Sequence, residues 1–252
     1  VCDNDSDISK KRKCEKMYAI EMKDYGDVDV FAEVTDAKTP DIKPSQVLVK
    51  QRAIAIDPYD VKFRAGVMGT SAPTPLINGS SVAGDIIAVG SEVSDFHVGD
   101  RVAASPHLKS YAEFVAVSSK QLAKIPAGVS YETAAAVVLG GQTGYQMMTS
   151  DLDLRPGESV LIHGGAGSVG FTAIQVAQAI GADKIYTTAS GESAVFLKAF
   201  NPHLHVVDYK KESLATVIKD KVDVVLDTIG GKTLTDSLNV LQLEGRLVSI
   251  VD

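Results

Sequence analysis

The sequence predicts an α/β fold in two parts, a β-rich unit of short antiparallel strands followed by a doubly wound parallel sheet. Three observations predict it. From Met17 to about Lys124 apolar residues come in short Val-, Ile- and Ala-rich runs broken by turn residues. From Ser159 onward strand-like and helix-like segments alternate strictly. Finally, 45% hydrophobic and 23% charged residues in a 252-residue chain suit one large or two modest globular domains.

The first half reads as strands at MYAIEM (Met17 to Met22), QVLVKQRAIAI (Gln46 to Ile56), SSVAGDIIAVG (Ser80 to Gly90), DRVAA (Asp100 to Ala104) and SYAEFVAV (Ser110 to Val117). Gly90, Gly99 and Pro126 fall near the breaks, and the unit is expected to be barrel-like or a folded sheet. The irregular link from Ala65 to Ser80 exceeds ordinary loop length and reads as a lip over a site.

In the second half SVLIH (Ser159 to His163) is a short buried strand. A helix follows from Val169 to Ile180, with Ile174, Ala177 and Ile180 on one face and Gly181 as its stop. Next come KIYTT, a helix near Ser193 to Phe200, HVV, a helix around Leu214 to Lys219, VDVVL, a helix near Thr233 to Leu241, and RLVSIV. Five strands separated by four helical segments imply a parallel sheet, because parallel neighbours need crossover connections.

Residues 1–16 have no apolar period, carry the basic run Lys10 to Lys13 and hold both cysteines, Cys2 and Cys14; we expect a disordered leader. No thiol follows Met17, which excludes a disulfide framework and a Cys-ligated zinc site in the folded part. A formal charge of −7, from 25 basic and 32 acidic residues, argues against a nucleic-acid partner, whose phosphates demand Lys and Arg. No run approaches the ~20 apolar residues of a membrane span, and no secretory signal opens the chain, so no membrane partner and a cytoplasmic location are expected.

Chemistry enters at HGGAGSVG, His163 to Gly170, where Gly165, Gly167 and Gly170 satisfy G-x-G-x-x-G between a strand and a helix. The pattern fits a dinucleotide: Gly165 for a tight turn, Gly167 for close approach of a pyrophosphate, Gly170 for helix packing, and the free amides at Ser168, Val169 and Gly170 for the anion. An NAD site usually places Asp or Glu about 20 residues on, but here the strand ends at neutral Ser190. Ser190 can donate to a 2′-phosphate, with Tyr209 as a second donor and Lys198 or Lys210 as nearby charge, which favours NADPH; Glu192 is the competing feature. His163 reads as a packing residue; Asp227, at the carboxyl edge of the sheet, could touch ribose or cap the next segment; His203 and His205, two apart on a strand, point to opposite faces and make no metal pair.

These residues resemble the medium-chain dehydrogenase/reductase superfamily, in particular its zinc-free quinone oxidoreductase branch. The resemblance rests on Ala53 to Gly66, Ile77 to Ala104, the segment SYETAAAVVLGGQTGYQ, the glycine loop and VDVVLDTIGG. It implies a GroES-like catalytic domain over 17–125 and a Rossmann NADPH-binding domain over 126–252, with the nucleotide between them and the lip facing the nicotinamide. That second domain is expected to be incomplete, since the chain stops just after its fifth strand.

Zinc-dependent relatives carry a Cys in the segment matching Asp57 to Lys62, Gly-His-Glu where this chain has Gly79-Ser80-Ser81, and a four-Cys lobe; none is present. The resemblance therefore implies hydride transfer from NADPH to an acceptor activated by conjugation, a quinone or an α,β-unsaturated carbonyl, without metal. Its implied polar groups are Asp57, Tyr59 and Lys62, with Tyr59 or Lys62 bonding the acceptor oxygen and water supplying the proton; family members often have Asn at the position of Asp57, and Tyr can stand at that of Lys62. The plain alternative is an Asp57–Lys62 surface ion pair with Tyr59 packed between strands. Thr143 matches a residue near the nicotinamide, and a homodimer is implied. A short-chain reductase is disfavoured because none of the eight tyrosines has Lys four residues later. A non-catalytic NADPH-binding redox sensor or structural module is the other reading.

Overall fold

The computed structural model describes residues 16–251. The expected leader, Lys16 excepted, lies outside the described residues, as do both cysteines. The chain divides into two compact units, Val1–Leu139 and Gly140–Asp252.

Two antiparallel sheets form the first unit. Strand β1 (Met17–Met22) pairs with β2 (Phe31–Ala37), and its other edge later takes the two-residue strand β4 (Leu76–Ile77). Strand β3 (Gln46–Ala55) leads into a short helix α1 (Pro58–Arg64), while β5 (Ser81–Val89), β6 (Arg101–Ala104), β7 (Phe114–Ser118) and β8 (Leu122–Lys124) join β3 in a five-stranded sheet ordered β7-β3-β5-β6-β8. Alternation along these strands buries Val47, Val49, Val82, Ile86, Val102, Val115 and Val117 on one face. Burying each such side chain stabilises by about 1.5–3 kcal/mol. The opposite face offers Ala83 and Ala103, small enough for Ala134 and Ala135 of α2 (Tyr131–Gln146) to approach closely.

Helix α1 depends on its start. Pro58 presets its first turn, and the pair Asp57 and Asp60 makes a capping box, with the Asp57 amide donating to Asp60 Oδ2 at 3.0 Å. At seven residues it is too short to show a helical period, and the sequence reading did not place it.

The second unit alternates β9 (Ser159–Ile162), α3 (Ser168–Ile180), β10 (Lys184–Ala189), α4 (Gly191–Phe200), β11 (His205–Asp208), α5 (Leu214–Val217), β12 (Val222–Asp227), α6 (Lys232–Leu238) and β13 (Leu241–Ser249). All pairings are parallel, in the order β11-β10-β9-β12-β13, so the chain reverses direction across the sheet between β9 and β12. Val160, Ile162, Ala173, Ile174 and Leu197 pack one face, whereas Leu161, Tyr186, Val225 and Val240 pack the other. Both faces are covered, as a parallel sheet requires.

One expectation needs correcting at the end of this unit. The last helix stops at Leu238, not Leu241, and β13 begins at Leu241 rather than Arg246. Leu241 pairs with Val222, but the next partner of β12 is Arg246 opposite Val224, so residues 242–245 stand opposite Asp223 alone and bulge from the ladder, with Glu244 at φ 63°. Regular pairing resumes where the apolar run RLVSIV starts, which is the part that alternation could reveal.

Candidate functional site

The glycine loop leaves the carboxyl end of β9 beside the reversal point of the sheet, where ligands of open α/β folds bind. It is pinned from below by β10. The Gly164 amide donates to Thr188 Oγ1 at 3.0 Å, the Gly165 amide to the Thr188 carbonyl at 3.1 Å, and Thr187 Oγ1 to the Ile162 carbonyl at 2.8 Å. A Cβ at Gly165 would strike Thr187 Oγ1, and one at Gly170 would strike the Gly164 carbonyl oxygen. Only glycine lets strand, loop and helix approach this closely.

Helix α3 begins with no side chain in front of it. Gly167 caps it, and the first bond back into the loop is Phe171 N to Gly167 O at 2.8 Å, which leaves the amides of Ser168, Val169 and Gly170 without intrahelical acceptors. A Cβ on Gly167 would meet only the Gly164 carbonyl, at 3.3 Å, within 4 Å. Free amides plus the positive end of the helix dipole suit an anion, and the residues present therefore fit a dinucleotide pyrophosphate.

The carboxyl edge of the same sheet carries Ser190 and Tyr209. Register pairs Ala189 with Asp208, so these two residues follow directly on adjacent parallel strands. Ser190 is the N-cap of α4 but makes no capping hydrogen bond, and Tyr209 is exposed. Sequence reasoning missed Asp208 at this edge. Burial works against its carboxyl, yet the Lys210 amide at 3.2 Å and Lys211 at 3.2 Å hold it below the usual carboxylate range. Its charge is thereby turned toward Lys211. Glu192 stands exposed in the first turn of α4.

Thr143 is half-buried on α2 between two glycines that touch α3. A Cβ on Gly140 would strike Ser168 Oγ, and one on Gly144 would lie 2.7 Å from the Val169 carbonyl. This glycine pair brings α2 against the amides that open α3.

In the first unit, α1 carries Tyr59 and Lys62 and is capped by Asp57. Asp57 is 6% exposed and accepts hydrogen bonds from Ser81 at 2.5 Å and Ser80 at 3.3 Å. Burial pushes its carboxyl above the usual range, against the two serine bonds. Lys62 is exposed, and among the described residues no ion pair joins it to Asp57. Tyr59 is half-buried, stacked on Phe63 with ring centroids 6.3 Å apart and tilted toward His107, also at 6.3 Å. Its ring contacts are thus with Phe63 of its own helix and with His107 of a loop.

Two residues of this region escaped sequence reasoning. Asp60 is buried, accepts from the Tyr111 hydroxyl at 2.9 Å, and leaves Oδ1 without a partner among the described residues. Burial first, then the Asp60 charge, push the Tyr111 phenol far above its ordinary value. Asp60, Val61 and Arg64 line an apolar cleft of about 420 Å³ with Ile20, Phe31 and Tyr111, whereas Tyr59 and Lys62 do not. The Asp-x-x-Asp spacing that makes the capping box was the available signal for Asp60.

Comparison with known proteins agrees with this architecture. Residues 43–152 match the alcohol dehydrogenase GroES-like domain and residues 168–250 the family described as zinc-binding dehydrogenase. The chain is 36% identical to a quinone oxidoreductase of Pseudomonas aeruginosa, over 89% of this chain and 70% of that protein. It is 38% identical to 2-methylene-furan-3-one reductase of Solanum lycopersicum, over 85% of this chain and 58% of that protein. The quinone oxidoreductase structure from Coxiella burnetii superposes with a TM-score of 0.83 at 32% identity, covering 92% of this chain and 75% of that one. The two units are thus a GroES-like domain and a Rossmann-like parallel sheet, and the chain belongs to the medium-chain dehydrogenase/reductase superfamily, in its quinone oxidoreductase-like branch. It spans little more than half the length of the tomato relative.

Proposed function

We propose that the protein is an NADPH-dependent, zinc-independent oxidoreductase that reduces quinones or α,β-unsaturated carbonyls. The observation that carries this reading is the edge of the parallel sheet, where free amides at Ser168 to Gly170 stand beside β10, which is followed directly by Ser190 with no capping bond on its hydroxyl. The names of relatives support it: one from Arabidopsis thaliana, 35% identical over 90% of this chain and 60% of its own length, is an NADPH-dependent alkenal/one oxidoreductase. NADPH, when bound, supplies a hydride from its nicotinamide ring.

The chain's own residues do the rest. The α3 amides hold the pyrophosphate, Ser190 and Tyr209 hold the 2′-phosphate, and Lys211 keeps the Asp208 carboxylate occupied. Thr143 positions the nicotinamide end. Tyr59 or Lys62 donates a hydrogen bond to the acceptor oxygen as negative charge develops there, and water delivers the proton. Asp57 contributes by fixing α1 from its buried cap. Zinc independence draws on the donor set: among the described residues no three His, Cys, Asp or Glu side chains are grouped to hold a metal.

No helix among the described residues is long and apolar enough to cross a membrane; we keep the cytoplasm as the proposed location and a homodimer as the proposed assembly. The test is NADPH oxidation against quinones, enones, simple ketones and alcohols. Turnover with quinones or enones without added metal is expected. Turnover only with alcohols, or only with zinc, overturns the proposal, and tight NADPH binding with no turnover favours a non-catalytic sensor or structural module.

A further inference from the structure

We infer that His163 is a positioning residue for the glycine loop: as the Nε2–H tautomer it holds the Thr188 hydroxyl in the orientation that accepts the Gly164 amide. The role in cofactor binding rests on the reading of this loop given above.

The geometry places each proton. His163 is wholly buried, with Nε2 2.8 Å from Ser237 Oγ and Nδ1 3.2 Å from Thr188 Oγ1. Ser237 gives its one hydroxyl proton to the Thr233 carbonyl at 2.8 Å. Toward the imidazole it can only accept, so Nε2 carries the ring proton. In a neutral ring Nδ1 is then an acceptor and takes the Thr188 hydroxyl proton, which turns a Thr188 lone pair toward the Gly164 amide at 3.0 Å. One directed chain results, from the Gly164 amide through Thr188 to Nδ1, and from Nε2 through Ser237 to the Thr233 carbonyl.

The ring stays neutral because burial dominates. The charges acting on it, Asp227 and Asp236, both favour the imidazolium, yet desolvation outweighs them and pushes His163 down to about 4. A second proton would make Nδ1 a donor facing Thr188 Oγ1 and reverse that hydroxyl. The loop is held from the other side too, since Thr228 Oγ1 donates to the His163 carbonyl at 2.9 Å. A residue that merely filled space at the end of β9 would leave the Thr188 hydroxyl free to rotate.

The test needs no cofactor to begin. Nitrogen NMR of the His163 ring near neutral pH is expected to show a proton on Nε2 alone, with the Gly164 amide protected from exchange. Thr188→Val and His163→Leu are each expected to expose that amide and weaken NADPH binding about tenfold, the value of one hydrogen bond. The double variant is expected to be no worse than either single one, and His163→Asn, which keeps an acceptor near the Nδ1 position, to recover part of the loss. An Nδ1–H tautomer, or single effects that multiply in the double variant, overturns the inference. Should His163→Leu not fold, the wild-type tautomer and Thr188→Val decide. Wild-type protein that binds no pyridine nucleotide defeats the proposed function, whereas tautomer and Gly164 exchange still judge the relay.

Discussion

The proposed preference for NADPH turns on two single side chains at the sheet edge, Ser190 and Asp208. Asp208 is drawn to Lys211, and Ser190 contributes a hydroxyl with no capping bond. Ser190→Asp would bring a carboxylate to the strand end, where it repels a 2′-phosphate and bonds ribose hydroxyls; the NADPH-to-NADH preference, read as a ratio of Kd values, should fall about tenfold or more. His163 makes a prediction about stability. Its folded value is depressed from 6.5 to about 4, so the unfolded chain binds the proton more readily. Stability from this group is complete above pH 6.5 and is lost as pH falls toward 4, by roughly 3 kcal/mol in all. Asp57 has the opposite sign, since a raised carboxyl value favours the fold at low pH. Urea unfolding between pH 7 and pH 4 should show a decline that His163→Asn reduces. The glycine loop and the neutral residue after β10 could be located in the sequence because each lies on one stretch of chain beside a predicted strand; their binding roles are proposals. Asp60 and Tyr111 could not be located so, because 51 residues separate them and only folding makes them neighbours.

Among the elements, α1 and the contact of α2 with α3 carry the proposed site residues. Asp57→Ala removes the cap of α1 and leaves the Ser80 and Ser81 hydroxyls without their shared acceptor. A loss of about 2–3 kcal/mol in unfolding free energy is expected, larger than a cap alone would give. Gly144→Ala places a Cβ 2.7 Å from the Val169 carbonyl. It should cost about 1–3 kcal/mol and weaken NADPH binding in the same titration, because the start of α3 is what must move. Sequence reading found β1, β3, β5, β6 and the whole strand-helix alternation after Ser159, where burial follows a clear period. It missed β2, whose burial hardly alternates, and β4 and β8, which have two and three residues and exist through their partners. Such segments carry no local pattern to read.

For the molecule as a whole, the order β11-β10-β9-β12-β13 sets the glycine loop at the reversal of the sheet, and the register of β10 with β11 lines up Ser190 and Tyr209 at the same edge. Three independent features of the sequence, a glycine spacing, a neutral strand end and an alternation of elements, thus meet at one edge of one unit. The most direct test is a calorimetric titration of the folded chain with NADPH and with NADH. We predict saturable binding of NADPH, about tenfold or more tighter than NADH. No heat with either nucleotide, on protein whose cooperative thermal unfolding shows it intact, would contradict the account.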